Sequence, residues 1–163
     1  MPIIARDSGR QFEPAPEGVH VGICVDVIDK GLQPTPWGEK KKVEIRWQID
    51  ELMEDGERFL VVRWFTNSLN ERAALRQLLE TWRGKHYTDE EAKAGVDLER
   101  LIGQPALLTI VHTERDNGGV FANVKAAMQL PKGTSPIKAL NYVRVQDRQQ
   151  EPSEEQEEGE EPF

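Results

Sequence analysis

From Val19 to Val27 the odd positions are all apolar, Val19, Val21, Ile23, Val25 and Val27, while His20, Gly22 and Asp26 take the other parity. A period of two belongs to a half-buried strand, whose successive side chains point to opposite faces. Residues 31–38 interrupt it with Pro34 and Pro36 between flanking glycines, which predicts a loop between two strands. Alternation resumes over residues 40–50, with Val43, Ile45, Trp47 and Ile49 on one face and Lys42, Glu44, Arg46 and Gln48 on the other. Glu54-Asp55-Gly56-Glu57 signals a hairpin, and residues 58–65 are apolar and β-branched enough for a third strand.

The period then changes. Ser68-Leu69-Asn70-Glu71 has the form of a capping box, and Leu75, Leu78, Leu79 and Trp82 recur at helical spacing up to Gly84. Thr88-Asp89-Glu90-Glu91 repeats the box for a short second helix, and Leu98, Leu101 and Ile102 predict one more turn ending at Gly103. Two last strands, over residues 106–113 and 120–130, are joined across Asn117-Gly118-Gly119, a tight-turn sequence. Three strands, a helical insert and two strands match the mainly β, five-stranded Greek-key barrel of the OB-fold, whose helix lies between the third and fourth strands. A small β-sandwich is the competing architecture and needs more strands than the pattern supplies. The expected organisation is a flexible arm over 1–16, the barrel over 17–133, a linker over 134–150 and a tail over 151–163.

A length of 163 residues supports one domain with a core. No apolar run approaches the ~20 residues of a membrane span, and residues 1–7 lack the apolar stretch of a signal peptide. Cys24 is the single cysteine, so no internal disulfide forms, and a reducing cytoplasm is the expected compartment. The net charge of −8 disfavours nucleic acid only until it is divided. Residues 151–163 hold seven glutamates and no Lys or Arg; of 29 acidic residues 22 then remain, against 21 basic ones, so the body is nearly neutral.

Within that body Lys40, Lys41, Lys42 and Arg46 gather at the start of the second strand, beside the loop that carries Trp37. Binding of single strands without sequence choice needs cations that track phosphates and rings on which bases stack. On the third strand Arg63 and Phe65 share a face, assigned to the nucleic acid, opposite Leu60, Val62 and Trp64; on the fifth, Phe121, Asn123 and Lys125 extend the same surface. Strand aromatics are more often core than stackers, so Trp47 and Trp64 are assigned to the core; Phe65 and Phe121 suit either role.

Little suggests catalysis. His20, His86 and His112 are scattered, no Cys or His pair has metal-ligand spacing, and no Gly-rich loop leads into Lys-Ser or Lys-Thr. No cofactor or metal is expected. Glu39-x-Lys41 with Asp26 or Asp29 upstream is the one pattern similar to a metal-dependent nuclease.

The tail cannot bury apolar area and is expected to be disordered, yet it ends in an aromatic residue. Its terminus, Glu157, Glu158, Glu160, Glu161, Pro162 and Phe163, resembles that of bacterial and phage single-stranded DNA-binding proteins, which end in an acidic run and then Phe. Here Glu stands where the bacterial tip usually has Asp, and Glu161 where it has an apolar residue. The body resembles a group of small phage proteins through Phe65-Thr66-Asn67-Ser68-Leu69-Asn70-Glu71, Leu79-Glu80-Thr81-Trp82-Arg83-Gly84, and Phe121-Ala122-Asn123-Val124 before Leu130-Pro131-Lys132-Gly133. The resemblance implies an OB-fold that coats single-stranded DNA during phage replication, recombination or repair, with the tail recruiting partner proteins, in the host cytoplasm. A replication-protein interaction module that does not touch DNA is the alternative from another class.

Overall fold

The computed structural model describes residues 14–116 and 118–148. Five strands, β1 (Gly18–Thr35), β2 (Gly38–Leu52), β3 (Arg58–Thr66), β4 (Pro105–Glu114) and β5 (Val120–Met128), form one antiparallel sheet in the order β3-β2-β1-β4-β5. Because all five share a single sheet, the two-sheet sandwich is not formed among the described residues. Helices α1 (Ala74–Arg83) and α2 (Asp89–Ala94) and a 3-10 turn at Leu98–Leu101 lie between β3 and β4, where the helical insert is expected. No helix among the described residues is long and apolar enough to cross a membrane.

Strand β1 serves two neighbours because it is long and broken in register. Its first residues pair with β4 and the rest with β2, with irregularities between Cys24 and Asp26 and between Asp29 and Gly31. An extra residue in a strand reverses the facing of the residues beyond it. The simple odd-position face therefore fails: Val19 is exposed, while Cys24, Val25, Asp26 and Val27 are buried in succession. Gly22 is required by close approach, since a Cβ there would sit 2.6 Å from a Leu108 methyl.

On β2 the inward set is as expected: Val43, Ile45, Trp47 and Ile49 are all buried. They meet Leu75, Leu78, Leu79 and Trp82 of α1, with the Trp47 and Trp82 rings 5.9 Å apart. The two ends of the strand order, β3 and β5, are joined by no backbone ladder among the described residues. There Arg63 donates from Nη1 to the Val124 carbonyl at 3.0 Å.

The capping expectations divide. Thr88 and Glu91 bond reciprocally and start α2 as predicted. Ser68 instead takes the Asn70 N–H in a local turn and Asn70 takes that of Arg72, so α1 begins later, at Ala74, without a side-chain cap. Short polar side chains satisfy turns as readily as helix ends.

Both proposed flanks differ where they are described. Residues 14–16, read as part of a loose arm, are held: the Ala15 carbonyl lies 2.7 Å from His112 Nε2, and that of Pro16 lies 2.8 Å from His20 Nε2. Residues 140–148, read as linker, form a strap across the outward face of β1 and β2. Gln48 and the Leu140 backbone exchange two hydrogen bonds, at 2.8 and 3.0 Å. The Asp26 carboxylate, 1% exposed, accepts from Tyr142 Oη at 2.7 Å, Arg144 Nε at 3.0 Å and the Val145 N–H at 2.9 Å. The rest of the arm, and the tail with Glu157, Glu158, Glu160, Glu161, Pro162 and Phe163, lie outside the described residues.

Candidate nucleic-acid interface

Residues 31–38 are not a loop. Strand pairing continues through Gly31–Lys42, Leu32–Lys41, Gln33–Lys40 and Pro34–Glu39 to Thr35–Gly38, leaving only Pro36 and Trp37 at the turn. Beyond the Lys42–Thr66 pair neither β3 nor β4 joins this ribbon, so it projects as a two-stranded finger. Past the bond from the Asn67 N–H to the Lys41 carbonyl, no further strand of the sheet joins its edges among the described residues, and strand edges are where proline is tolerated. Trp37 at the tip is 84% exposed. Lys40 and Lys41 are also exposed, but alternation divides the triplet: Lys40 and Lys42 take the outward face with Arg46, and Lys41 the opposite face with Leu32.

The face assignment on β3 is inverted. Phe65 is 2% exposed and lies in the core with Phe59 and Val61, whereas Leu60 and Trp64 face outward, Trp64 being 45% exposed. Both parities of this strand are apolar, so Arg63 is the only cue in the sequence, and it misleads. Its guanidinium stays on the inner side, 4.6 Å from the Phe65 ring, and covers the Val124 carbonyl at the sheet edge. Burial draws its pKa below the ordinary arginine range. Trp64, assigned to the core, stands opposite Glu44 on β2 with the Lys30 ammonium 5.0 Å from its ring centre.

A polar row runs along the outward face. Lys30 pairs with the buried Glu44 carboxylate at 3.7 Å, Glu44 with the Arg46 Nε, and Arg46 Nη1 with the Tyr142 hydroxyl at 3.4 Å. Burial alone would lower the pKa of Arg46, but the bond and charge of Glu44 prevail and raise it. Burial and the bond to Asp26 push the Tyr142 hydroxyl up to about 12, so it remains a donor. Asp26 itself is drawn below the usual carboxylate range: burial opposes ionisation, and Tyr142, Val145 and Arg144 together outweigh it. Among the described residues no three His, Cys, Asp or Glu side chains are grouped to hold a metal ion.

Arg46 and Phe121 come together in a groove of about 380 Å³ that Leu60, Val62 and Arg115 also line. Phe121 is half-buried beneath Arg115, whose guanidinium lies 4.8 Å from its ring centre. Lys125 is not part of this group. Register shifts past it, Ile110 pairing with Val124 and Thr109 with Ala126, and it stands beside Gln77 and Thr81 of α1. Lys42, half-buried, donates to Thr66 Oγ1 at 2.8 Å.

Sequence reasoning missed Lys30, Trp64, Arg115, Tyr142 and Arg148. For Trp64 the register decided: Leu52 pairs with Arg58 across the turn, which places even positions of β3 on the face of Lys42 and Arg46. The strap carried none, since nothing in residues 134–148 alternates. No protein-family model and no curated protein matches the chain.

Proposed function

We propose that the chain binds single-stranded DNA without sequence choice, along the finger and the outward face of β2 and β3, and that its sheet is an OB-type Greek-key barrel. The observation that carries the proposal is the exposure of Trp37 and Trp64, one at the tip of the two-stranded finger and one beneath Lys30, with Lys40, Lys42 and Arg46 sharing the outward face. Large rings left in water beside cations suit bases and phosphates: each base stacked on an aromatic contributes roughly 1–3 kcal/mol, and each phosphate neutralised releases counterions. Strand order supports the barrel reading. In that fold the β2–β3 face and the loops after β1 and β4 receive oligonucleotides, and here those loops carry Trp37 and Arg115.

Oligo(dT) titration of the full chain tests this. Affinity should fall steeply with salt, exceed that for duplex, and weaken in Trp37→Ala and Trp64→Ala. Equal affinity for duplex, or indifference to salt, would overturn it. A role in phage replication, recombination or repair, with partners recruited through residues 151–163, belongs to the same proposal. Pull-downs with full-length protein and with residues 1–150 test that part, and equal recovery of replication or recombination proteins by both rejects it.

A further inference from the structure

We infer that the C-terminal strap is a wall of the strand-binding surface, with Tyr142 and Arg148 forming a stacking and phosphate site beside Arg46; this rests on the single-strand reading above.

Residues 129–148 add nothing to the apolar core, and Val143 in the middle of the strap is 54% exposed. Leu140, Tyr142 and Val145 are only half-buried, so polar bonds carry much of the attachment. Its bonds place three side chains. Tyr142 is pinned through its hydroxyl to Asp26 and Arg46, which fixes the ring at the end of the polar row. Arg148, exposed and tied by Nε to the Val143 carbonyl at 2.8 Å, holds its guanidinium 5.2 Å from that ring centre. Arg144 neutralises Asp26 and reaches Glu99 at 3.0 Å.

Two consequences support a role in binding. Without the strap the outward face of β1 and β2 would present the Asp26 carboxylate beside Arg46, and phosphate would be repelled there. With it, Asp26 is covered and a further cation is added. Tyr142 also repeats the arrangement at Trp64, an aromatic ring with a cation over it. The two rings are linked through Arg46, Glu44 and Lys30, and Arg46 and Glu44 lie two residues apart on β2, roughly 7 Å along the strand. A nucleic-acid strand crossing the sheet would meet Trp64 and Tyr142 in succession.

The test titrates oligo(dT) into full-length protein carrying Tyr142→Phe, Tyr142→Leu, Arg148→Ala or Trp64→Ala. Tyr142→Phe keeps the ring but loses its bonds to Asp26 and Arg46, and should weaken binding less than Tyr142→Leu does. Tyr142→Leu removes the ring and should weaken binding by at least about fivefold. Arg148→Ala should weaken binding and reduce the slope of log affinity against log salt by about 0.7, the loss of one phosphate contact on a single strand. Arg148 makes no bond to Asp26, so this variant decides even if Tyr142→Leu loosens the strap. If the parent binds and Trp64→Ala weakens it, while Tyr142→Leu and Arg148→Ala match the parent in affinity and salt slope, the strap is not part of the surface and the single-strand reading stands. If the parent itself does not bind oligo(dT), that reading fails and this inference with it.

Discussion

Trp47 and Trp64 belong to one pair of strands, β2 and β3, and occupy opposite sides of it. Trp47 points inward and is buried against Trp82 of α1, whereas Trp64 points outward beneath Lys30. Their neighbours decide the difference. Inward positions of β2 meet a helix whose Leu75, Leu78 and Leu79 complete an apolar layer, whereas outward positions carry the polar row of Glu44 and Arg46 with Lys30 and Tyr142 against it. The residue type is the same on both sides, so an aromatic in a strand is classified by what covers its face.

Trp47→Ala should have the largest effect in this comparison, destabilising the fold by about 4 kcal/mol through lost burial and a residual cavity. Urea denaturation of both tryptophan variants measures it, and Trp64→Ala should remain within about 0.5 kcal/mol of the parent. A Trp64 variant as unstable as the Trp47 variant would erase the distinction between the faces.

Next comes Asp26→Ala, which unlatches the strap and leaves Arg144 without its buried partner, at a cost of about 3 kcal/mol. Amide exchange at Val145, whose N–H is held by Asp26, should accelerate in this variant and not in Trp64→Ala. Unchanged exchange would mean the strap is held by other bonds.

Of similar or smaller size is the loss of oligo(dT) affinity in Trp64→Ala, roughly 1–3 kcal/mol, with no comparable loss in Phe65→Leu if that variant stays folded. Binding lost in Phe65→Leu and retained in Trp64→Ala would place the nucleic acid on the Phe65 face instead.

A smaller effect is expected at low pH. Glu80 accepts the Tyr87 N–H and bonds with Arg76 and His86, and its pKa falls to about 2 from 4.5. A carboxylate depressed on folding stabilises the protein above its unfolded pKa, and that contribution disappears as pH falls through the folded value. For Glu80 the window runs from about pH 4.5 down to about 2. Asp26 acts in the same direction. Glu80→Gln should therefore lose about 1 kcal/mol at neutral pH, after allowance for solvent screening, and converge with the parent near pH 2. A constant gap down to pH 2 would show that the ionised form of Glu80 is not what stabilises the turn after α1.

Much of the architecture is written locally. Alternation at Val43, Ile45, Trp47 and Ile49, helical spacing at Leu75, Leu78, Leu79 and Trp82, and the reciprocal Thr88–Glu91 cap each depend on near neighbours, and each appears where sequence reasoning puts it. The nearly neutral body and the acidity of residues 151–163 are likewise readable from residue order alone. What tertiary structure decided is which face each ambiguous side chain occupies. Phe65 and Trp64 exchange places because both parities of β3 are apolar, and only the register with β2 selects between them. Asp26 has the pattern of a solvent-facing strand residue, yet Tyr142 and Arg144, more than a hundred positions later, cover it. Periodicity reports contacts within one element, whereas a strap or an edge carbonyl capped from another strand is a contact between distant ones. Their energies depend on distances that only the folded chain sets.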